Sequence, residues 1–171
     1  MNVAQVMLDL QECLCGKIEE KAAADEHYQG VCECSVMWSA ITMLDHCGPE
    51  VSCGDSCGQA WVRFVSVNPD PSVDPRAMRC TMAFQVTLEV GIGRCSATGD
   101  NSQLELALPS SDDYLSDMLV GAQDMDAITQ AVMCCGQRHR ANQLTITSMS
   151  PFGPEGGCFG TFATVTMQVL V

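Results

Sequence analysis

The sequence is poor in basic residues, in aromatic residues and in long hydrophobic runs. Lys and Arg total 8 against 21 Asp and Glu, and the formal net charge at pH 7 is −13. Proteins that bind nucleic acid through its phosphates, or that bind anionic membrane surfaces, rely on clustered Lys and Arg. No segment reaches the run of about 18 apolar residues that a membrane-spanning helix requires. The composition therefore argues against nucleic-acid-binding and membrane-bound proteins.

Catalytic motifs are also missing from the sequence. It has no Gly-rich phosphate loop, no nucleophile elbow and no metalloprotease motif. His139 follows a predicted helix end between two arginines, where a capping role is more typical than that of a base. Asp112 and Asp113 are typical of charges at a helix start rather than of an acid/base pair. We therefore expect no catalytic residues and no cofactor, and we expect that the protein is not an enzyme.

Cysteine, in contrast, is abundant, with 12 in 171 residues. The closely spaced pairs are Cys13-x-Cys15, Cys32-x-Cys34, Cys53-x-x-x-Cys57 and Cys134-Cys135. None of them has the two-residue spacing of structural zinc sites, and Cys13 and Cys15 point about 200° apart on a helix. A four-ligand site could be built from His46, Cys47, Cys53 and Cys57. Buried thiols or disulfides fit the pattern better, so we expect no bound metal.

The pairing of the cysteines cannot be deduced from the sequence. A reducing cytosol would keep them as thiols, whereas a particle released from the cell could carry disulfides. From the helical and strand patterns we expect Cys13, Cys135 and Cys95 to be buried core residues.

Hydrophobic periodicity predicts two amphipathic helices. Residues 3 to 18 carry apolar side chains at spacings of three and four, and so do residues 111 to 135. Ser110 or Ser111 is the natural N-cap of the second helix, and Gly136 is its expected end. The apolar stripe that we expect this helix to bury consists of Leu115, Met118, Leu119, Ala122, Met125, Ile128, Val132 and Cys135.

Alternating hydrophobicity predicts four strands. Residues 60 to 67 are apolar on both faces, which favours a central strand. Residues 84 to 93 alternate without exception, and Phe84, Val86, Leu88, Val90 and Ile92 share one face. Two further strands are predicted at 144 to 147 and at 161 to 170, with a turn at 151 to 158 between them.

The order helix, hairpin, helix, hairpin predicts an α+β fold, with two helices packed on one face of an antiparallel sheet. We interpret residues 1–171 as a single domain. Two stretches stand outside the regular elements. An irregular Cys-rich segment occupies residues 26–58, and a Pro-rich arm occupies residues 68–75 at the tip of the first hairpin.

Several short motifs occur in a characteristic order along the chain. They are Leu10 to Cys15, the Cys-Gly-Gln-Ala-Trp-Val-Arg run at Cys57 to Arg63, Leu88 to Cys95, Gln123 to Asp126, Cys134-Cys135, and Gly153 to Cys158. Together they resemble the tail terminator and neck proteins of long-tailed (siphovirus-type) actinobacteriophages. The resemblance spans nearly the whole chain, and the predicted element order also fits the fold of phage tail terminators.

The resemblance implies a structural virion protein without catalytic residues. Such a protein forms a ring of identical copies, usually a hexamer, at the head-proximal end of the tail tube. The ring ends tube polymerisation and joins the tail tube protein to the head-side connector or stopper protein. Genomic double-stranded DNA passes through the ring without specific binding, and there is no membrane partner. The expected location is the neck of the virion, after assembly in the host cytoplasm, with the 68–75 arm reaching a neighbouring subunit.

Two alternatives remain open at this point. One is another neck component, although adaptors are mainly helical and stoppers are small β barrels. The other is a Cys-rich metal-binding or ligand-binding domain. For a ring around DNA, we expect an acidic or neutral channel surface, with most arginines at protein contacts or helix ends.

Overall fold

The computed structural model describes residues 3–28, 30–37, 58–70, 83–95, 111–139, 143–155 and 158–170. The helices are α1 (Val3–Ala24) and α2 (Ser111–Arg138). The strands are β1 (Glu33–Met37), β2 (Gly58–Pro69), β3 (Ala83–Cys95), β4 (Thr145–Glu155) and β5 (Cys158–Leu170). Neither helix is long and apolar enough to cross a membrane, as far as the described residues extend.

The five strands form one mixed sheet in the order β1-β2-β3-β5-β4. The hairpins β2–β3 and β4–β5 are antiparallel, and β3 pairs with β5 in the same sense. The α+β class and the four predicted strands are therefore confirmed. The expectation of a purely antiparallel sheet was wrong, because β1 pairs with β2 in parallel.

Strand β1 lies within the segment that the sequence analysis predicted to be irregular. It has only five residues, which are too few to show a pattern of alternating hydrophobicity. Its partner strand, β2, follows it only after a long stretch of sequence. The Gln59 side chain donates a hydrogen bond to the hydroxyl of Ser35 across the β1–β2 pair. Residues 38–57, which include the predicted zinc candidates His46, Cys47, Cys53 and Cys57, lie outside the described residues.

The hydrophobic core lies between the two helices and one face of the sheet. The buried α1 residues are Val6, Met7, Leu10, Cys13, Leu14 and Ile18, which confirms the predicted face of this helix. On the sheet, the core residues of β3 and β5 are Val86, Leu88, Val90, Ile92, Ala163, Val165, Met167 and Val169. Alternation thus predicted the inward face of β3 correctly.

Helix α2 differs from its prediction in length and in which side chains it buries. It continues through Gly136 and ends at Arg138. Its buried residues are Asp124, Ala127, Ile128, Ala131, Val132 and Cys135. The amino-terminal part of the predicted stripe is exposed, and Met118, expected to fill the core, is 63% exposed.

The antiparallel packing of α1 on α2 explains why this part of α2 is exposed. Asp9 contacts His139 and Cys13 contacts Cys134, both at the carboxyl end of α2. Lys21 contacts Asp126, close to the carboxyl end of α1. Because α1 ends at Ala24, the first turns of α2 extend beyond it.

Prolines occur in strands where the missing N–H is tolerated. Pro151 lies in β4, an edge strand, so the predicted turn at 151–158 is largely strand. Pro69 ends β2, beyond Arg63, the last residue paired with β1. Residues 68 and 69 of the predicted Pro-rich arm therefore belong to β2, and the part from residue 71 onward lies outside the described residues.

Candidate interaction surface

The amino-terminal turns of α2 carry an exposed apolar surface, here called the α2 ridge. It consists of Tyr114, Leu115, Met118 and Leu119, which are 53%, 50%, 63% and 56% exposed. Spacings of one, four and five place these side chains on one side of the helix. Single exposed apolar residues are ordinary, whereas four adjacent ones make this a candidate interaction surface.

Grooves lie on both sides of the α2 ridge. One, of about 400 Å³, separates the ridge from the β4–β5 hairpin and is lined by Met118, Met125, Phe152 and Phe159 among others. The other, of about 760 Å³, faces the residues that follow α1. The ridge is therefore a raised apolar feature with depressions that a partner's side chains could enter.

The larger groove has an acidic lining that is held in place by hydrogen bonds. Asp25 accepts hydrogen bonds from the backbone N–H of His27 and from Gln123, and these bonds lower the pKa of its carboxyl group. Asp126 accepts a hydrogen bond from Lys21 at 2.5 Å, which likewise lowers its pKa. Both carboxylates thus remain charged at neutral pH beside the ridge.

A buried ion pair fixes α2 to the sheet where the ridge ends. Arg94 of β3 donates two hydrogen bonds to Asp124 of α2, each 2.8 Å long. The hydroxyl of Tyr28 donates a third to Asp124 at 2.7 Å, and the Arg94 guanidinium lies 4.7 Å from the centre of the Tyr28 ring. Burial opposes the charge on Arg94, but the hydrogen bonds to Asp124 raise its pKa.

This cluster has a structural role, because all three of its side chains are almost fully buried. Burial, together with the negative charge of Asp124, raises the pKa of the Tyr28 hydroxyl, which therefore stays protonated and donates. Arg94 also donates to the carbonyl of Gly30 at 3.3 Å. The cluster thus joins the residues after α1, strand β3 and helix α2 at one point.

A second exposed apolar patch lies at the other end of the sheet. Val65 and Val67 of β2 are 47% and 50% exposed, and we call them the β2 patch. A β-bulge at Val65 interrupts the pairing, since Phe64 faces Leu88 and Ser66 faces Thr87. Val67 is paired with Val86, eight residues from Arg94 along β3, which corresponds to about 26 Å.

Trp61, the tryptophan of the sequence motif at Cys57 to Arg63, is buried against the sheet. Trp61 packs against Phe152, with ring centres 6.3 Å apart, and its indole N–H donates to Glu89 at 3.0 Å. Glu89 also accepts a hydrogen bond from Arg63. Trp61 faces Gly91 on β3, where a side chain would collide with the indole ring. These residues stabilise the sheet.

The cysteines of the described residues fall into two groups. Cys15 and Cys34 form a disulfide between α1 and β1, with their Cα atoms 6.2 Å apart. Cys32 and Cys95 each belong to another disulfide. Cys13, Cys134 and Cys135 are free thiols. The predicted burial of Cys13 and Cys135 is confirmed, whereas Cys95 is only partly buried and is not a core thiol.

Other charged residues that were considered in the sequence have structural roles. His139 directly follows α2 and its Nε2 lies 2.6 Å from Asp9, so it joins the two helices. Arg138 lies at a helix end, as expected, and pairs with Glu12. Arg94, in contrast, is buried on β3. Within the described ranges, no three His, Cys, Asp or Glu side chains are arranged to hold a metal ion.

The Arg94–Asp124 pair was not predicted, although the sequence contains a signal for it. Arg94 continues the alternation of Val90 and Ile92 and therefore falls on the inward face of β3. Asp124 falls four residues before Ile128 on the buried face of α2. Opposite charges on two facing apolar surfaces indicate a buried ion pair.

Comparison with known proteins adds no family assignment. The chain matches no protein-family model and none of the curated proteins with which it was compared.

Proposed function

We propose that this chain is a structural virion protein that forms a ring at the head-proximal end of a phage tail tube. In this role it ends tube polymerisation and joins the tail to the head-side connector. The observation that supports an assembling protein most strongly is the α2 ridge, with four adjacent apolar side chains half or more exposed. The ordered motifs described above supply the link to tail terminators.

The positions of the two apolar patches suit a ring. A ring needs a heterologous contact, in which one surface of a subunit meets a different surface of the next. The α2 ridge lies beside Phe159, which pairs with Arg94 at one end of β3, and the β2 patch lies about 26 Å from Arg94 along β3. In our proposal the ridge of each subunit packs on the β2 patch of its neighbour, and six copies close the ring.

The fold argues for a terminator over the other neck components. Adaptors are mainly helical and stoppers are small β barrels, whereas this chain combines two long helices with an open five-stranded sheet. The net charge of −13 also suits a channel protein, because repulsion keeps DNA moving through the bore.

Electron microscopy tests the proposed location. Purified virions are labelled with an antibody raised against this chain, and the proposal predicts label at the junction of head and tail. When particles assemble without this chain, heads and tails should remain separate, and the tail tubes should be longer than normal. Label elsewhere on the particle, or normal virions without the chain, would contradict the proposed function.

A matched pair of variants tests the contact surface separately. Met118 and Met133 lie on the same helix and are both 63% exposed, but only Met118 belongs to the α2 ridge. We expect Met118→Glu to abolish ring formation on tail tubes and Met133→Glu to leave it intact. Both variants should keep the wild-type circular dichroism spectrum. Rings formed equally by both variants would exclude the ridge as the contact.

A further inference from the structure

The three free thiols of the described residues lie together between α1 and α2. The Sγ atoms of Cys13 and Cys134 are 3.0 Å apart, the closest approach of two free thiols in this part of the chain. Cys135 is buried and its Sγ lies 3.9 Å from the carbonyl oxygen of Val6 on α1. The geometry thus selects Cys13 and Cys134 as a reactive pair.

We propose that Cys13 and Cys134 form a further disulfide, which ties α1 to α2 when the protein meets a disulfide oxidant such as oxidised glutathione. The Cys134 thiolate attacks one sulfur of the oxidant, and a glutathione thiolate leaves. The Cys13 thiolate then attacks the Cys134 sulfur of this mixed disulfide and expels the second glutathione. Two protein thiols are oxidised, one disulfide is reduced, and the two thiol protons pass to the two glutathione thiolates.

The exposure of the two thiols sets the order of the steps. Cys134 is partly exposed, whereas Cys13 is only 4% exposed. An oxidant as large as glutathione therefore reaches Cys134 first. Cys13 is already in contact with it and can displace the glutathione without a rearrangement of the helices. Proximity of this kind makes the second step intramolecular, so that it needs no further encounter in solution.

The surroundings of Cys13 set the rate of the second step. Burial raises the pKa of the Cys13 thiol to about 12, and the hydrogen bond with Cys134 adds to the effect, while the positive charge of Arg138 opposes it. Because the thiolate is the attacking species, the second step is slow at neutral pH and accelerates in mild alkali.

The proposed disulfide would link α2 covalently to α1 and, through α1, to β1. Cys15, two residues from Cys13 and on the other side of α1, is already bonded to Cys34 of β1. A bond from Cys13 to Cys134 spans 121 residues of sequence. The oxidised chain would then have β1, α1 and α2 joined in series, with α2 carrying the ridge.

Peptide mapping tests the proposal on the full chain. The protein is incubated with oxidised glutathione at pH 8.5, quenched in acid, alkylated and digested without reduction. We expect one new cross-linked peptide pair, which contains Cys13 and Cys134, and a protein mass lower by two hydrogen atoms. A stable glutathione adduct on Cys134, a bond that uses Cys135 instead, or unreacted Cys13 and Cys134 would overturn the proposal.

Thermal unfolding gives a second readout with a matched control. A disulfide that closes a long loop stabilises a protein, and for a chain of this size we expect the unfolding midpoint to rise by about 5 °C on oxidation. Cys135→Ser should retain the rise and Cys134→Ser should lose it. An equal rise in both variants would show that another bond is responsible and would overturn the proposal.

Discussion

Arg94 and Asp124 are joined by two 2.8 Å hydrogen bonds in a region where their side chains are 4% and 0% exposed. Two charges are thus removed from water, and their mutual contact, the Tyr28 hydroxyl and the Gly30 carbonyl compensate for part of the lost hydration. Each member therefore depends on the other to remain in the core.

We predict that Asp124→Asn lowers the free energy of unfolding by about 3–5 kcal/mol, because it leaves the buried Arg94 charge without its partner. Asp126→Asn is the matched control on the same helix. It removes an exposed pair with Lys21 and should cost less than about 1 kcal/mol. Chemical denaturation of the two variants measures the difference, and similar losses in both would contradict the assigned role of Asp124.

Gly91 is required by the close approach of Trp61. A Cβ atom at position 91 would overlap the indole ring of Trp61, whereas a Cβ atom at Gly16 in α1 would meet nothing within 4 Å. We predict that Gly91→Ala destabilises the fold by about 1–3 kcal/mol, since Trp61 must leave its position. Gly16→Ala should instead stabilise it by about 0.5–1 kcal/mol through helix propensity. Thermal unfolding followed by tryptophan fluorescence distinguishes the two results.

Alkaline pH should destabilise the protein through its buried thiols. The pKa of Cys13 is raised from 9.0 to about 12 and that of Cys135 to about 11, in both cases chiefly by burial. Above pH 9 the unfolded chain releases these protons while the folded chain retains them. The free energy of unfolding therefore falls as the pH rises, by up to about 1.4 kcal/mol per pH unit for each thiol.

Denaturation between pH 7.5 and 10.5, without oxidant, checks this slope. Cys13→Ala should have a shallower dependence than the wild type, although it is less stable at pH 7.5. Ile18→Val, a buried change on the same helix, should lower stability by about 0.5–1.5 kcal/mol and keep the wild-type slope. An unchanged slope in Cys13→Ala would show that this thiol does not titrate as described.

Local hydrophobic patterns predicted most helices and strands of this fold. The features that they did not predict depend on how the helices and strands pack and pair with one another. Alternation identified the inward face of β3, and helical periodicity identified the buried face of α1. The same periodicity could not show that α1 ends at Ala24, and the exposure of Met118 depends on that end point. Strand β1 is defined by its pairing with β2, which no five-residue pattern contains.

The candidate surface was hidden from the sequence for the same reason. Leu115 and Ile128 belong to one apolar stripe, and only the packing of α1 separates the exposed half from the buried half. The cysteine pairing was equally inaccessible, and the opposite orientations of Cys13 and Cys15 on a helix were used only to argue against one metal ion held by both. In the structure Cys15 bonds to Cys34, and Cys13 contacts Cys134.

The last prediction concerns DNA. The described part of the chain contains five Lys and Arg residues, and each has a nitrogen within 3 Å of a carboxylate oxygen. They are Lys17, Lys21, Arg63, Arg94 and Arg138. Cations that are already paired release few counterions from a DNA phosphate backbone, and that release is the main source of nonspecific affinity.

We therefore predict that the protein binds duplex DNA more weakly than about 10⁻⁴ M at physiological salt, the weak limit of nonspecific binding. Fluorescence anisotropy of a labelled duplex, measured with increasing protein, checks this value. Glu12→Gln frees Arg138 at the exposed end of α2 and should raise affinity slightly at low salt. The negative charge of the whole chain, −13, should still prevent binding at physiological salt. Micromolar affinity that falls steeply as salt rises would contradict a channel protein through which DNA slides freely.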